Sequence, residues 1–289
     1  MKENEIGLFR SEIVEEAYKN EKIIIWDNEK VENKLCYIFF SGNGIYYPNT
    51  KEVFYKNIVE DSRYEWMNIA KSKYLEKVRR KIFVRDIYKQ WYVKGISQTI
   101  DSVDKLLEEL KKLTDGFEVI TVGSSAGGYM ATLAAAKLGA GRCFNFSGQF
   151  FLESQGGEFV EEAINQNYIY KNIIELVEKS DCIVYYFVPF FSENDEKQRV
   201  CVENLKNIKE FNFNSDVHAT TMFPGNMPFV ISLDEKRLDR LYRHYRNKKI
   251  NRILFLCVTM KIRSISIAIK LAADLIKYKV DKGRGKVWI

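Results

Sequence analysis

The sequence predicts an α/β fold, a mostly parallel central sheet with helices on both faces. Three observations carry this. Short apolar runs rich in β-branched and aromatic residues recur along the chain. Segments with helical periodicity stand between them. A small-residue turn joins the most apolar of these runs to a helix-forming stretch. Strands alternating with helices argue for parallel pairing, because a parallel connection needs a crossover long enough to hold a helix. A chain of 289 residues with 46% hydrophobic composition can bury the core this requires. We read one domain over residues 1–289, with a small helical cap inserted at 151–180.

The elements follow in order. The runs at Glu21–Asn28 and Lys34–Gly44 read as strands, the second ending in a glycine loop. The stretch 51–80 is polar and aromatic, irregular with helical parts. A third strand, "RRKIFVRDIY", ends near Asp86. Thr99–Gly116 reads as a helix, since Ile100, Val103, Leu106, Leu107, Leu110 and Leu113 share one face and Gly116 stops it. Phe117, Val119, Ile120 and Val122 form a buried-strand signal, and Tyr129–Leu138 is rich in Ala, Met and Leu. Gly141–Phe150 is a short strand and 156–180 supplies the helices of the insertion. Asp181–Phe190 is a strong apolar strand, 195–208 a helix, and Lys209–Ala219 a strand running into a loop.

The join at Gly123-Ser124-Ser125-Ala126-Gly127 fits G-x-S-x-G between a strand and a helix. In such an elbow the central serine sits on a strained turn. Its flanking residues are glycine because a Cβ would strike neighbouring backbone. The Oγ then projects at a helix N-terminus, where N–H groups and the dipole favour developing negative charge. Ser125 is therefore the candidate nucleophile. Small residues at such a join also permit close packing without chemistry.

A serine nucleophile needs a base, and the base needs a carboxylate. The chain has two histidines. His244 lies in "EKRLDRLYRHYRNKK", a charged helix, and reads as a solvated residue. His218 lies just past a strand, at the carboxyl edge where reacting groups of an open α/β sheet gather. The carboxylate belongs between Ser and His in chain order. The loop "FSENDEKQ" offers Glu193, Asp195 and Glu196. Asp195 opens the helix leading back to the His218 strand and is the candidate, with Glu193 its rival. The alternative for Asp195 is a helix N-cap, and both roles can hold at once. Asp216 lies too close to His218 on the same strand. The oxyanion donors expected are the Ala126 N–H and the loop "FFSGNGIYYPN", where Gly42 and Asn43 let backbone approach a substrate; an ordinary Asn-Gly turn is the alternative.

Through Gly123–Gly127, Asp195 and His218, in that order, the chain resembles the α/β-hydrolase superfamily of serine enzymes. The text "FVRDIYKQWY" followed by "GSSAGGYMA" is similar to hydrolase-like proteins of bacterial surface-polysaccharide gene clusters. The first resemblance implies an α/β-hydrolase-like fold and a serine esterase or acyltransferase working through a covalent acyl-enzyme. The second implies an acyl ester, most simply acetyl, on a carbohydrate. The stretch from Met227 onward departs from the family pattern.

Arg85, Asp86 and Trp91 stand at a strand end near this edge. They are candidates for binding sugar or carboxylate, with a buried Arg–Asp pair bracing the loops as the alternative. No cofactor is expected. The two distant histidines and the absence of paired cysteines argue against a zinc site. No G-x-x-x-x-G-K-[ST] occurs, so nucleotide hydrolysis is not expected. The five widely spaced cysteines read as free thiols of a reducing cytoplasm. The first residues are charged and lack an apolar signal core, and no stretch reaches the length of a membrane span.

Residues 251–289 carry nine Lys or Arg against two Asp or Glu, a local charge of +7 where the whole chain has +6. Ile262, Ile265, Ile269, Ala272, Ile276 and Val280 share a helical face, flanked by Lys261, Arg263, Lys270, Lys277 and Lys279. Two accounts stay open for 261–286: a closing helix packed on the sheet, after a strand at "RILFLCVTM", or a basic helix on an anionic membrane face. A nucleic-acid partner is not expected. The alternatives to an enzyme are a non-catalytic binding module on the same scaffold and a peripheral membrane protein led by this tail. The sequence leaves the oligomeric state, the acyl donor and the acceptor open.

Overall fold

The computed structural model describes residues 11–153, 155–219 and 221–260. Its centre is a seven-stranded sheet in the order β1-β3-β2-β4-β5-β6-β7. The strands are β1 (Ile24–Asp27), β2 (Leu35–Phe40), β3 (Arg80–Val84), β4 (Glu118–Ser124), β5 (Arg142–Phe146), β6 (Ile183–Pro189) and β7 (Ile208–Phe213). All neighbours pair in parallel except the edge strand β1, which runs antiparallel to β3. The fold is therefore α/β with a mostly parallel sheet.

In the first half the helices are α1 (Glu12–Lys19), α2 (Lys51–Phe54), α3 (Met67–Ala70), α4 (Val103–Leu113) and α5 (Ala126–Leu138). A π-helical turn, Tyr55–Glu60, continues α2. In the second half they are α6 (Glu158–Asn165), α7 (Ile174–Glu178), α8 (Glu193–Val200), α9 (Met227–Ile231), α10 (Glu235–Tyr245) and α11 (Arg252–Thr259). The period-two alternation of β2 shows how the layers form. Cys36, Ile38 and Phe40 join the core shared with α4 and α5, while Tyr37 and Phe39 join the opposite core with Val230, Leu238 and Phe255. On that second face Phe146, Phe187 and Phe211 stack across three strands, with centroids 4.9 and 4.7 Å apart. Both faces of the central strands are buried, which is why these strands read as continuous apolar runs rather than alternating ones.

Two elements differ from expectation. The helix expected from Thr99 begins at Val103, because the Ser102 side chain accepts the Lys105 N–H and caps it there. "RILFLCVTM" is helix α11 and not a strand. Asn251 caps it by accepting the N–H groups of Ile253 and Leu254, and burial follows a helical face, with Phe255 and Leu256 inside and Leu254 and Val258 outside. A short apolar run is compatible with either state until its cap and partner are known. The segment at 151–180 holds α6 and α7. The amphipathic stretch 261–286 lies outside the described residues. Among the described residues no helix is long and apolar enough to cross a membrane.

Candidate active site

Every candidate group sits at the carboxyl end of a parallel strand. Ser125 follows β4, the Ser41–Gly44 loop follows adjacent β2, Asp195 follows β6, and His218 follows adjacent β7. That edge is where an open sheet exposes loops and helix N-termini together.

Ser125 has φ 51° and ψ −122°, a sparsely populated conformation for a residue with a side chain. Such a conformation costs about 1–3 kcal/mol and persists only where the surroundings enforce it. The enforcement is visible. The Ser125 N–H donates to Phe146 O on β5 at 2.9 Å, and its carbonyl accepts the Tyr129 N–H of α5 at 3.1 Å. The glycines leave no choice of residue: a Cβ on Gly123 would lie 2.0 Å from Gly127 O, and one on Gly127 would lie 2.3 Å from Phe40 O. The strand, the helix and the end of β2 meet at this point with only backbone between them.

His218 Nε2 lies 2.9 Å from Ser125 Oγ. Its Nδ1 lies 2.9 Å from each oxygen of Asp195. Facing a carboxylate, Nδ1 carries the hydrogen, which leaves Nε2 as the acceptor for the serine proton. Asp195 is 2% exposed, whereas His218 keeps 42% of its side chain in solvent. The carboxylate is thus held in a fixed, dry position and the ring it orients faces the opening. Asp195 does not cap α8: Ser192 is the cap residue and Asp195 lies in the first turn. The helix dipole there favours its negative charge. Glu193 points away, 86% exposed and paired with Lys197 at 3.0 Å. His244 is exposed at the end of α10, its ring edge-on to Tyr245.

The candidate oxyanion donors divide. Ala126 begins α5, so its N–H has no helical acceptor, and it has no other partner among the described residues. The Gly42 N–H is already engaged: it donates to Glu65 Oε2 at 2.6 Å. Asn43 starts a single 3-10 turn, Asn43–Ile45, and its N–H has no partner among the described residues. Glu65 also accepts from Ser124 Oγ at 2.9 Å, and burial raises its carboxyl pKa above the usual range despite these donors. Sequence reasoning missed Glu65. Nothing in the spacing of "SRYEWMN" marks it, since its partners are 23 and 59 positions away.

Arg85, Asp86 and Trp91 have their polar groups satisfied inside the protein. Arg85 is bound bidentately by Glu21, at 2.9 and 2.8 Å, with both side chains at most 4% exposed. The pair that braces these loops is thus Arg85–Glu21 and not Arg85–Asp86. Asp86 accepts the N–H groups of Tyr88, Gln90 and Tyr92, at 3.0, 2.7 and 2.9 Å. It thereby organises a turn in which Lys89, Trp91 and Tyr92 all have positive φ. Trp91 donates from Nε1 to Gln149 Oε1 at 2.8 Å. Tyr92 in turn donates its hydroxyl to Ser41 O at 2.7 Å, so this turn braces the Ser41–Gly44 loop from behind. A cavity of about 640 Å³ does reach Arg85, but it opens between α1 and the π-helical turn and is lined by Glu16, Glu21, Tyr55 and Tyr64. The candidate triad is not part of its wall.

No protein-family model and no curated protein matches the chain. Among solved structures it is similar to Est1E from Butyrivibrio proteoclasticus, at 14% identity over 76% of this chain and 93% of that one, with a TM-score of 0.48. It is also similar to the capsule O-acetyltransferase of Neisseria meningitidis serogroup A, at 11% identity over 76% of this chain and 91% of that one, TM-score 0.47. For an esterase from Pyrobaculum calidifontis the figures are 10% identity, 77% and 78% coverage, and TM-score 0.43. Likeness this distant decides nothing about what the chain acts on. With its single antiparallel edge strand and a strained Ser125 elbow between β4 and α5, the fold is α/β-hydrolase-like.

Proposed function

We propose that the protein is a serine esterase or acyltransferase that forms a covalent acyl-enzyme on Ser125. The observation that carries this reading is the continuous hydrogen-bonded line Ser125–His218–Asp195, with 2.9 Å at each step. Ser125 Oγ attacks the acyl carbonyl while His218 Nε2 takes its proton. Asp195 holds the ring and stabilises the imidazolium that forms. The tetrahedral oxyanion is met by the Ala126 N–H and by a donor of the Ser41–Gly44 loop. His218 then passes its proton to the departing alcohol. A second alcohol or water, deprotonated by the same ring, takes the acyl group. Hydrolysis and transfer differ only in that acceptor.

The substrate proposed is a short acyl ester, acetyl above all, carried by a carbohydrate. Its support is the resemblance of "FVRDIYKQWY" and "GSSAGGYMA" to proteins of surface-polysaccharide gene clusters. The test has two parts. A fluorophosphonate probe is expected to label the wild-type chain and not Ser125→Ala, and p-nitrophenyl acetate turnover is expected to fall at least about 10⁴-fold in that variant. A panel of acetylated sugars then reads out release or transfer of acetate. Labelling that persists in Ser125→Ala overturns the nucleophile. Turnover of p-nitrophenyl acetate with none of the sugars overturns the carbohydrate assignment alone.

A further inference from the structure

Glu65 is a half-buried carboxylate that the reaction as written does not use. It lies between two chain segments that must keep a fixed separation. Oε2 accepts the Gly42 N–H at 2.6 Å and Oε1 accepts the Ser124 hydroxyl at 2.9 Å. Gly42 belongs to the oxyanion loop, and Ser124 precedes the nucleophile. The carboxylate is itself held on both sides. Its own N–H donates to Ser41 Oγ at 3.2 Å. The preceding Tyr64 hydroxyl is bonded to Glu21 and to Lys22 O, at 2.7 and 2.6 Å. The following Trp66 donates from Nε1 to Phe40 O at 2.8 Å. The segment 64–66 is therefore clamped along the end of β2, and its one carboxylate spans to the end of β4.

We propose that Glu65 is a positioning residue for the oxyanion hole: by holding the Gly42 N–H and the Ser124 hydroxyl together, it turns the next amide, the Asn43 N–H, into the second oxyanion donor beside Ala126. The inference rests on the serine-enzyme reading above and adds to it which donor acts and what fixes it. The chemistry favours this division. An N–H bonded to a carboxylate at 2.6 Å is not free for a transient oxyanion, whereas Asn43 opens a 3-10 turn and its N–H is unshared among the described residues. Donors of this kind act through fixed placement, so a small displacement of the loop reduces catalysis without loss of substrate binding.

Three substitutions test the arrangement. Glu65→Met keeps the length and packing of the side chain but accepts no hydrogen bond from either N–H or hydroxyl. Glu65→Gln keeps an acceptor for Gly42 and places an amide where the Ser124 oxygen can receive it. For p-nitrophenyl acetate we expect Glu65→Met to lower kcat about 10²-fold with KM within about threefold, and Glu65→Gln to recover most of that loss. Phenylboronic acid, whose adduct on the serine places an oxygen in the oxyanion hole, is expected to lose affinity for Glu65→Met by a similar factor. Asn43→Pro removes the proposed donor directly. Gly42 before it is extended, at φ −83° and ψ −175°, and proline suits the first position of a helical turn. It is expected to lower kcat and boronate affinity together by about 10²–10³-fold. Wild-type turnover and its loss in Ser125→Ala are measured alongside, so failure of the enzyme reading is seen separately. Given an active wild type, unchanged kcat and boronate affinity in Asn43→Pro overturn the donor assignment whether or not Glu65→Met folds. A Glu65→Gln variant as impaired as Glu65→Met overturns the positioning role and assigns the carboxylate's charge to the chemistry instead.

Discussion

His218 Nε2 stands 2.9 Å from Ser125 Oγ although 93 positions separate the two in the chain. The contact is made by sheet topology. Ser125 leaves β4 at the middle of the sheet, His218 comes from the loop after edge strand β7, and β5 and β6 lie between. The histidine loop must reach back across roughly 10–15 Å, three strand spacings. Asp195, in the first turn of α8 after β6, meets the ring on the way.

Asp195→Asn is expected to lower ester turnover by about 10³–10⁴-fold, because an amide cannot hold the Nδ1–H tautomer or stabilise an imidazolium. Glu193→Gln is expected to change it less than about threefold, since that side chain is 86% exposed and paired with Lys197. Steady-state kinetics on p-nitrophenyl acetate decides. A crippling Glu193→Gln beside a mild Asp195→Asn would move the acid to Glu193.

His218→Ala is expected to be nearly as damaging as Ser125→Ala, for the two act as a unit. His244→Ala is expected to leave kcat/KM unchanged, because its ring is exposed at the end of α10. Circular dichroism confirms that both variants fold. Equal losses in two folded variants would contradict the assignment.

Gly123→Ala is expected to destabilise the protein by about 2–4 kcal/mol or to prevent folding, since the new methyl would meet backbone 2.0 Å away where no side chain can yield. Gly116→Ala is a control of a different kind: space is open there, but φ is +75°, so a smaller strain of about 1 kcal/mol is expected. Urea unfolding followed by tryptophan fluorescence ranks the two. A Gly123→Ala protein as stable as Gly116→Ala would show that the elbow is looser than the contact distances imply.

Asp86 supplies a pH prediction. Burial pushes its carboxyl up to about 6, with backbone N–H donors opposing only in part. Its folded pKa is thus above the unfolded value of about 3.9, so between these values the folded state binds more protons. Its contribution to stability is present below about pH 4 and is lost as the pH rises through about 6. In Asp86→Asn this component is absent. The stability of the wild type relative to Asp86→Asn is therefore expected to fall between pH 4 and pH 6.5, by an amount on the order of a few kcal/mol. Chemical denaturation at both values measures it. A constant difference would show that Asp86 stays ionised throughout.

The sequence by itself determined those parts of the protein whose physics is local or periodic. The buried runs that became β2, β4 and β6 are apolar on both faces. The Gly123–Gly127 turn has one workable geometry between a strand and a helix. Chain order with strand alternation singles out Ser125, Asp195 and His218. Tertiary structure alone decided what depends on partners distant in sequence. It made "RILFLCVTM" a helix, because an Asn251 cap and a half-buried face outweigh an apolar run that suits either state. It turned Arg85 toward Glu21, 64 positions away, rather than toward its neighbour Asp86. It also set Glu65 between Gly42 and Ser124. A single carboxylate in an aromatic stretch has no period and no motif. Its role comes from the burial and the donors that the folded chain brings to it.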